Sequence, residues 1–149
     1  SDDRAQGALA KIASSEVTYG LAVDEGIKFD PDATRMEARS DGNGFRLSGK
    51  KQFVVDGGLA DRLLVLARTS DGLTLFDIPS DRAGISRAAS NMIDARDAAR
   101  ITFDDVEVTG EDVLGAVGNA MVVLRPVLPW LISPRSSTAT LRMPCTSAR

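Results

Sequence analysis

The sequence predicts a mainly β domain, an antiparallel sandwich or barrel-like sheet with short helices only at its two ends. Short apolar or alternating runs, seven or eight in number, recur between turn signals, at the spacing of about ten residues that sandwiches and barrels use. Asp-Gly and Asn-Gly pairs stand where hairpins need them. Helical spacing of apolar residues is confined to the first dozen positions and to the stretch after Gly115. At 149 residues and 43% apolar content, the chain can bury one core of ordinary size.

Each element follows in order. Ser1-Asp2-Asp3 is a cap for a helix over residues 4–12, with Ala5, Leu9 and Ile12 on one side. From Glu16 the period changes, and residues 17–23 form a β-rich run stopped by Asp24-Glu25-Gly26. A loop over 27–33 carries Pro31. Residues 35–39 and 45–47 alternate on either side of Asp41-Gly42-Asn43-Gly44, which predicts a hairpin. Residues 52–55 form a short strand ended by Asp56-Gly57-Gly58. Residues 63–67 are apolar without a break, so that strand is expected to be covered on both faces. Asp71-Gly72 turns the chain into a strand over 73–78, closed by Pro79, and further strands are expected at 85–89, 100–103 and 106–108.

Composition removes several kinds of chemistry. Without histidine there is no Ser-His-Asp or Cys-His nucleophile system, no imidazole acid or base, and no histidine-bearing zinc site. A net charge of −3 argues against a nucleic-acid or anionic-membrane surface. No apolar run reaches the roughly 18 residues of a membrane span, and the first apolar stretch, broken by Lys11, is too short for a signal peptide. With one cysteine, Cys145, and no export signal, the expected compartment is the cytoplasm. Asp30-Pro31-Asp32 with Asp41 fails as a calcium loop, because Arg35 stands where the sharp turn needs glycine, so no metal is expected. Asp2-Asp3, Asp24-Glu25 and Asp104-Asp105 read as solvated turn ends rather than proton-sharing dyads. Lys50-Lys51 reads as an exposed strand start, and Gly57-Gly58 lacks the Gly-Lys-Ser/Thr of a phosphate loop.

Charge divides the chain sharply. All 21 acidic residues lie at or before Asp112, whereas the last 37 residues carry four arginines and no acid. Four of the six prolines fall in the last 24 residues, a spacing that forbids a long helix there.

Order as well as composition points to a family. The run Leu21-Ala22-Val23 leads into Asp24-Glu25-Gly26, then Ala38 precedes Asp41-Gly42-Asn43-Gly44. Phe45-Arg46-Leu47-Ser48-Gly49-Lys50-Lys51-Gln52-Phe53-Val54-Val55-Asp56-Gly57 follows the pattern x-L-x-G-x-K-x-(W/F)-(I/V)-x-(N/D)-G. Ala60-Asp61, Gly84-Ile85, Phe103-Asp104-Asp105-Val106-Glu107-Val108 and Val113-Leu114-Gly115 complete the series. Residues 16–115 thus resemble the middle β-domain of the acyl-CoA dehydrogenase family. The resemblance implies three parts: residues 1–15 as the end of an N-terminal helical domain, 16–115 as the middle domain, and 116–149 as the start of a C-terminal helix followed by an anomalous tail.

The resemblance also implies flavin adenine dinucleotide (FAD) as cofactor, an acyl-CoA substrate for the intact enzyme, and a homo- or hetero-oligomer. The flavin-contacting positions it implies are Leu21, Val23 and Asp24 on the first strand and Phe53, Val54 and Val55 on the second, acting largely through backbone groups. No catalytic residue is expected in this chain, because the family's carboxylate base lies in the C-terminal bundle. The family usually has threonine where this sequence has Asp24 and Val55. Val55 has no hydroxyl to give, a loss on the order of 1 kcal/mol that binding can survive. An ionised Asp24 would be repelled by an electron-rich flavin rim unless it turned away or were paired. Loop 26–33 lacks the family's Gly-Ser-Asp words, which leaves the acyl specificity open.

The tail admits two readings, a natural basic extension or a shifted reading frame from near Leu124. Read one base back, the codons of the Pro-Val-Leu-Pro-Trp-Leu segment give the alanine-rich composition that the family's helix has there. On the second reading the bundle is missing and the fragment is inactive alone. Two other roles fit the same residues: a non-catalytic partner subunit of a hetero-oligomeric dehydrogenase, or a flavin-dependent monooxygenase sharing the fold. Uncovered apolar faces would favour self-association.

Overall fold

A computed structural model describes residues 2–26, 30–90 and 98–126. Helix α1 (Asp2–Ala13) leads into β1 (Tyr19–Ala22), a 3-10 turn at Pro31–Ala33, and the hairpin of β2 (Glu37–Asp41) and β3 (Gly44–Val55). Then come β4 (Arg62–Thr69), β5 (Gly72–Pro79), β6 (Ile85–Ser90), β7 (Ala98–Thr109), a 3-10 turn at Gly110–Asp112 and α2 (Ala120–Leu124). The mainly β class is as expected, in one curled sheet ordered β1-β4-β2-β3-β7-β6, with β5 on the other side of β4.

Pairing in the sheet is mixed rather than antiparallel throughout. The hairpins β2–β3 and β4–β5 and the pairs β3–β7 and β6–β7 are antiparallel. In contrast, β1 runs parallel to β4 from Tyr19↔Arg62 to Ala22↔Val65, and β2 touches the far end of β4 in parallel at Glu37↔Arg68. Tight turns can join only antiparallel neighbours. Parallel pairs arise here because β4 returns after an intervening hairpin to lie between β5 and the two earlier strands.

Turn chemistry fixes the hairpins as expected. Gly42 takes a φ of 62° between Asp41 and its partner Gly44, a conformation that glycine adopts without penalty. Two pairs of expected short strands are each one long strand. Residues 45–47 and 52–55 both belong to β3, and 100–103 and 106–108 both belong to β7. The two breaks read in the sequence meet at one bulge. From Leu47 to Gly49 on β3 the partner strand goes from Val106 to Phe103, so β7 carries an extra residue beside Asp105, whose φ is 51°.

Two apolar clusters lie on the two sides of β4. Leu63, Val65 and Ala67 join the larger one with Phe76, Ile78, Ile101 and Val106, while Leu66 points to a smaller one with Leu73, Leu75, Ala120 and Leu124. The unbroken apolar run at 63–67 is therefore covered on both faces, the smaller cluster by α2. On α1, by contrast, Leu9 and Ile12 stay open, 64% and 45% exposed. Among the described residues no helix is long and apolar enough to cross a membrane. Ser1, loop residues 27–29, and the anomalous tail from 127 onward, including Cys145, lie outside the described residues.

Candidate functional site

β1 ends at Ala22, and the chain continues through Val23 and Asp24 alongside the second half of β3. There the Gln52 amide donates a hydrogen bond to the Asp24 carbonyl at 2.7 Å. This one bond brings together the two segments singled out in the sequence, Leu21-Val23-Asp24 and Phe53-Val54-Val55. Period-2 alternation sends the Ala22 side chain into the larger cluster and those of Leu21 and Val23 toward the smaller one. Val54 is wholly buried in the larger cluster. The side chains of Val23 and Val54 serve the core, so these residues offer a ligand mainly backbone.

A second bulge shapes the end of β3. From Lys51 to Val54 this strand advances three residues while β7 goes from Ile101 to Ala99, leaving one extra residue on β3. Phe53 sits in that bulge with a φ of 55°, a conformation uncommon for a bulky side chain and frequent at functional sites. The bulge also resets the alternation. Lys51 and Val54 both point inward, Phe53 is half-buried, and Val55 is 50% exposed at the strand end. The turn behind it admits only glycine at position 57, where a Cβ would stand 2.6 Å from Val54 Cγ1.

That turn is held from outside. Arg87 Nη1 on β6 donates to the carbonyls of Gly58 at 3.0 Å and Ala60 at 3.3 Å, and Ser80 Oγ donates to Ala60 O at 2.6 Å. Thr18 and Asp61 close its far end, the Thr18 amide and hydroxyl both donating to Asp61 Oδ2 at 2.8 and 2.9 Å.

Beneath the strand ends lies a charged anchor that the sequence reading missed. Lys50 is exposed, but Lys51 is completely buried, contrary to an exposed strand start for the pair. Its Nζ donates to Glu25 Oε1 at 2.7 Å and to Val23 O at 3.3 Å. Glu25 in turn accepts from the amides of Arg35 at 2.8 Å and Met36 at 3.0 Å. Burial pushes the Lys51 ammonium below its ordinary pKa, against the pull of Glu25. For Glu25 burial would raise the pKa, but Lys51 and the two amides outweigh it and hold the carboxyl low. Asp24-Glu25 is thus no solvated turn end, because Glu25 ties β3 to the segment leading into β2. Alternation gave the signal: Leu47, Gly49 and Lys51 share one face of β3 before the bulge.

Asp24 has a different environment. Its Oδ1 is buried with no hydrogen-bond partner. Burial raises its pKa, and the charge of nearby Lys51 only partly opposes this. Among the described residues no group of three or more Cys, Asp or Glu is placed to hold a metal ion.

Comparison with known proteins bears on this arrangement. Residues 23–106 match the profile of the acyl-CoA dehydrogenase middle domain. An acyl-CoA dehydrogenase of Alternaria alternata is 36% identical over 93 residues, 58% of this chain and 22% of the relative. The mitochondrial 2-methylacyl-CoA dehydrogenase of Solanum tuberosum is 31% identical over 132 residues, 82% of this chain and 32% of the relative. A glutaryl-CoA dehydrogenase from Mycobacterium smegmatis, solved in complex with FADH2, superposes with a TM-score of 0.73 at 26% identity, covering 80% of this chain and 32% of that one. The chain spans about a third or less of the length of these relatives.

Proposed function

The chain belongs to the acyl-CoA dehydrogenase family, as its middle domain, and from that premise we propose that it forms one wall of an FAD site in a protein that dehydrogenates an acyl-CoA. The carrying observation is the Gln52–Asp24 hydrogen bond of 2.7 Å, which sets two strand ends side by side. Both ends are rigid, one fixed by the buried Lys51 and the other by the glycine-dependent turn. Amides and carbonyls held this way can meet the polar rim of a flat aromatic ring with little reorganisation. Bound FAD would supply the acceptor for hydride leaving the acyl chain. This chain's residues would orient the ring: Leu21, Val23, Asp24, Phe53, Val54 and Val55.

The fit is good for the backbone and altered at two side chains. Val55 reaches solvent at the strand end but has no donor, and Asp24 fits an acceptor-rich rim only as a neutral acid. The substitution at Val55 favours a second reading, in which the chain is part of a non-catalytic subunit that supports an active partner. Neither reading gives this chain a base, so it carries no turnover alone.

Flavin binding by the 149-residue chain is the test. After incubation with FAD and gel filtration, the chain should elute with bound flavin whose absorbance stays unbleached by acyl-CoA. Elution free of flavin, at protein concentrations well above those of weak sites, would sink the proposal.

A further inference from the structure

We propose that Asp24 serves the flavin as a neutral carboxylic acid, its O–H donating a hydrogen bond to an acceptor atom on the ring's polar rim. This inference rests on the reading of the two strand ends as a flavin wall. Three observations carry it. Asp24 is only half-buried, but its Oδ1 is enclosed and unpartnered, which leaves the other carboxyl oxygen to carry the O–H, and its main chain is fixed by the Gln52 amide at 2.7 Å. The cation that acts on Asp24, Lys51, is committed elsewhere, its Nζ donating to Glu25 at 2.7 Å and to the Val23 carbonyl at 3.3 Å. The segment's other side chains are apolar and packed, Ala22 in the larger cluster and Leu21 and Val23 against the smaller one, which leaves Asp24 as its polar group.

Chemistry then selects the protonated form. An ionised carboxylate only accepts hydrogen bonds, whereas the rim of a flavin presents four carbonyl and imine acceptors and a single N–H donor. An anion with one oxygen enclosed and without a donor is disfavoured, and taking up a proton removes that cost while creating the donor the rim needs. Lys51 on β3 is the charged group that bears on Asp24 among the described residues, with Glu25 as its ion-pair partner. The charge of Lys51 opposes the effect of burial only in part. Burial therefore prevails, in keeping with the raised pKa of the carboxyl.

A proton requirement makes flavin affinity pH-dependent. Binding should be strongest in mild acid and weaken as pH rises, approaching tenfold per pH unit above the point where free Asp24 ionises. The experiment is a fluorescence-quenching titration of FAD into the full chain between pH 5 and 8.5, for the natural protein, Asp24→Asn and Asp24→Thr. Both variants offer a donor without an ionisable group, so their affinities should be flat with pH and exceed the natural protein's at pH 8. Three results would overturn the inference while leaving the flavin wall standing: a flat profile for the natural protein, the same slope in Asp24→Asn, or tighter binding by the natural protein than by both variants at pH 8. Failure of all three proteins to bind FAD at any pH would overturn the wall itself, and this inference with it.

Discussion

The ammonium of Lys51 donates to Glu25 Oε1 across 2.7 Å from a side chain with no solvent exposure, joining the centre of β3 to the segment between β1 and β2. The two partners are not equally dependent on each other. Glu25 keeps the amides of Arg35 and Met36 as donors and is 20% exposed, whereas Lys51 without Glu25 would retain, among the described residues, only the Val23 carbonyl as a hydrogen-bond acceptor. Glu25→Ala should therefore cost about 3–5 kcal/mol, the range for stranding a buried charge. Lys51→Met, which fills the space with an apolar chain, should cost less than about 2 kcal/mol. Urea unfolding followed by circular dichroism measures both, and the double variant should cost less than the two together. Equal losses would mean that the pair is not the anchor described.

Acid stability should show contributions of opposite sign. Glu25 and Asp112 are held below the ordinary carboxylate range: burial opposes this, but Lys51 and backbone amides prevail for Glu25, and Arg82 at 2.7 Å with the Thr109 amide prevails for Asp112. Folding thus favours their ionised forms, and the stability they give is complete above about pH 4.5 and lost as pH falls through their lowered folded values. Asp24 behaves in reverse. Burial raises its pKa, so its contribution is complete below about pH 4 and falls away as pH climbs through the raised value. Thermal midpoints measured from pH 3 to 8 should show Asp112→Asn losing its disadvantage in acid, and Asp24→Asn gaining on the natural protein as pH rises. Parallel curves for all three would contradict these assignments.

Much of this was legible in the residues, and each exception has a physical cause. The hairpins at Asp41–Gly44 and Asp71-Gly72 follow from turn chemistry, and the doubly covered strand from the apolar run at 63–67. Alternation fails where a bulge inserts a residue. The bulge beside Asp105 split β7, and β3 opposite it, in two, and the bulge at Phe53 passed unseen inside the expected strand 52–55, because it changes the side-chain parity without a glycine or proline of its own. Parallel pairing of β1 with β4 has no local signal, since it depends on where a strand 43 residues later returns. The six site residues came from resemblance rather than pattern, and Lys51 was overlooked because a lysine on the inward face of a strand is rarely fully buried.

The turn after β3 should be intolerant at one position. At Gly57 an added Cβ would meet Val54 Cγ1 at 2.6 Å and the Val54 carbonyl oxygen at 3.0 Å, and Val54 cannot yield because it is wholly buried. Gly57→Ala should destabilise the chain by about 1–3 kcal/mol, the range for overpacking a filled core. Gly26→Ala is the matched control, since a Cβ there meets nothing within 4 Å. Denaturant midpoints for the two variants decide the point, and a loss in Gly57→Ala no larger than that in Gly26→Ala would show that the turn can relax.

At Val55 the fold leaves room for a gain of function. Valine and threonine have nearly the same shape, both suit a strand, and half of this side chain is exposed, so Val55→Thr should change stability by less than about 0.5 kcal/mol. The new hydroxyl can donate where valine cannot. If the strand end faces a flavin acceptor, one added neutral hydrogen bond contributes about 1 kcal/mol, which is roughly a fivefold tighter FAD complex. Because a hydroxyl carries no charge near neutrality, the gain should be the same at pH 6 and pH 8, unlike the pH-dependent effect expected of Asp24. Titration of FAD into Val55→Thr and the natural chain at both pH values measures it. Unchanged affinity with unchanged stability would place the acceptor atoms of the flavin away from the end of β3 and leave Asp24 and the Val23 backbone to hold the rim.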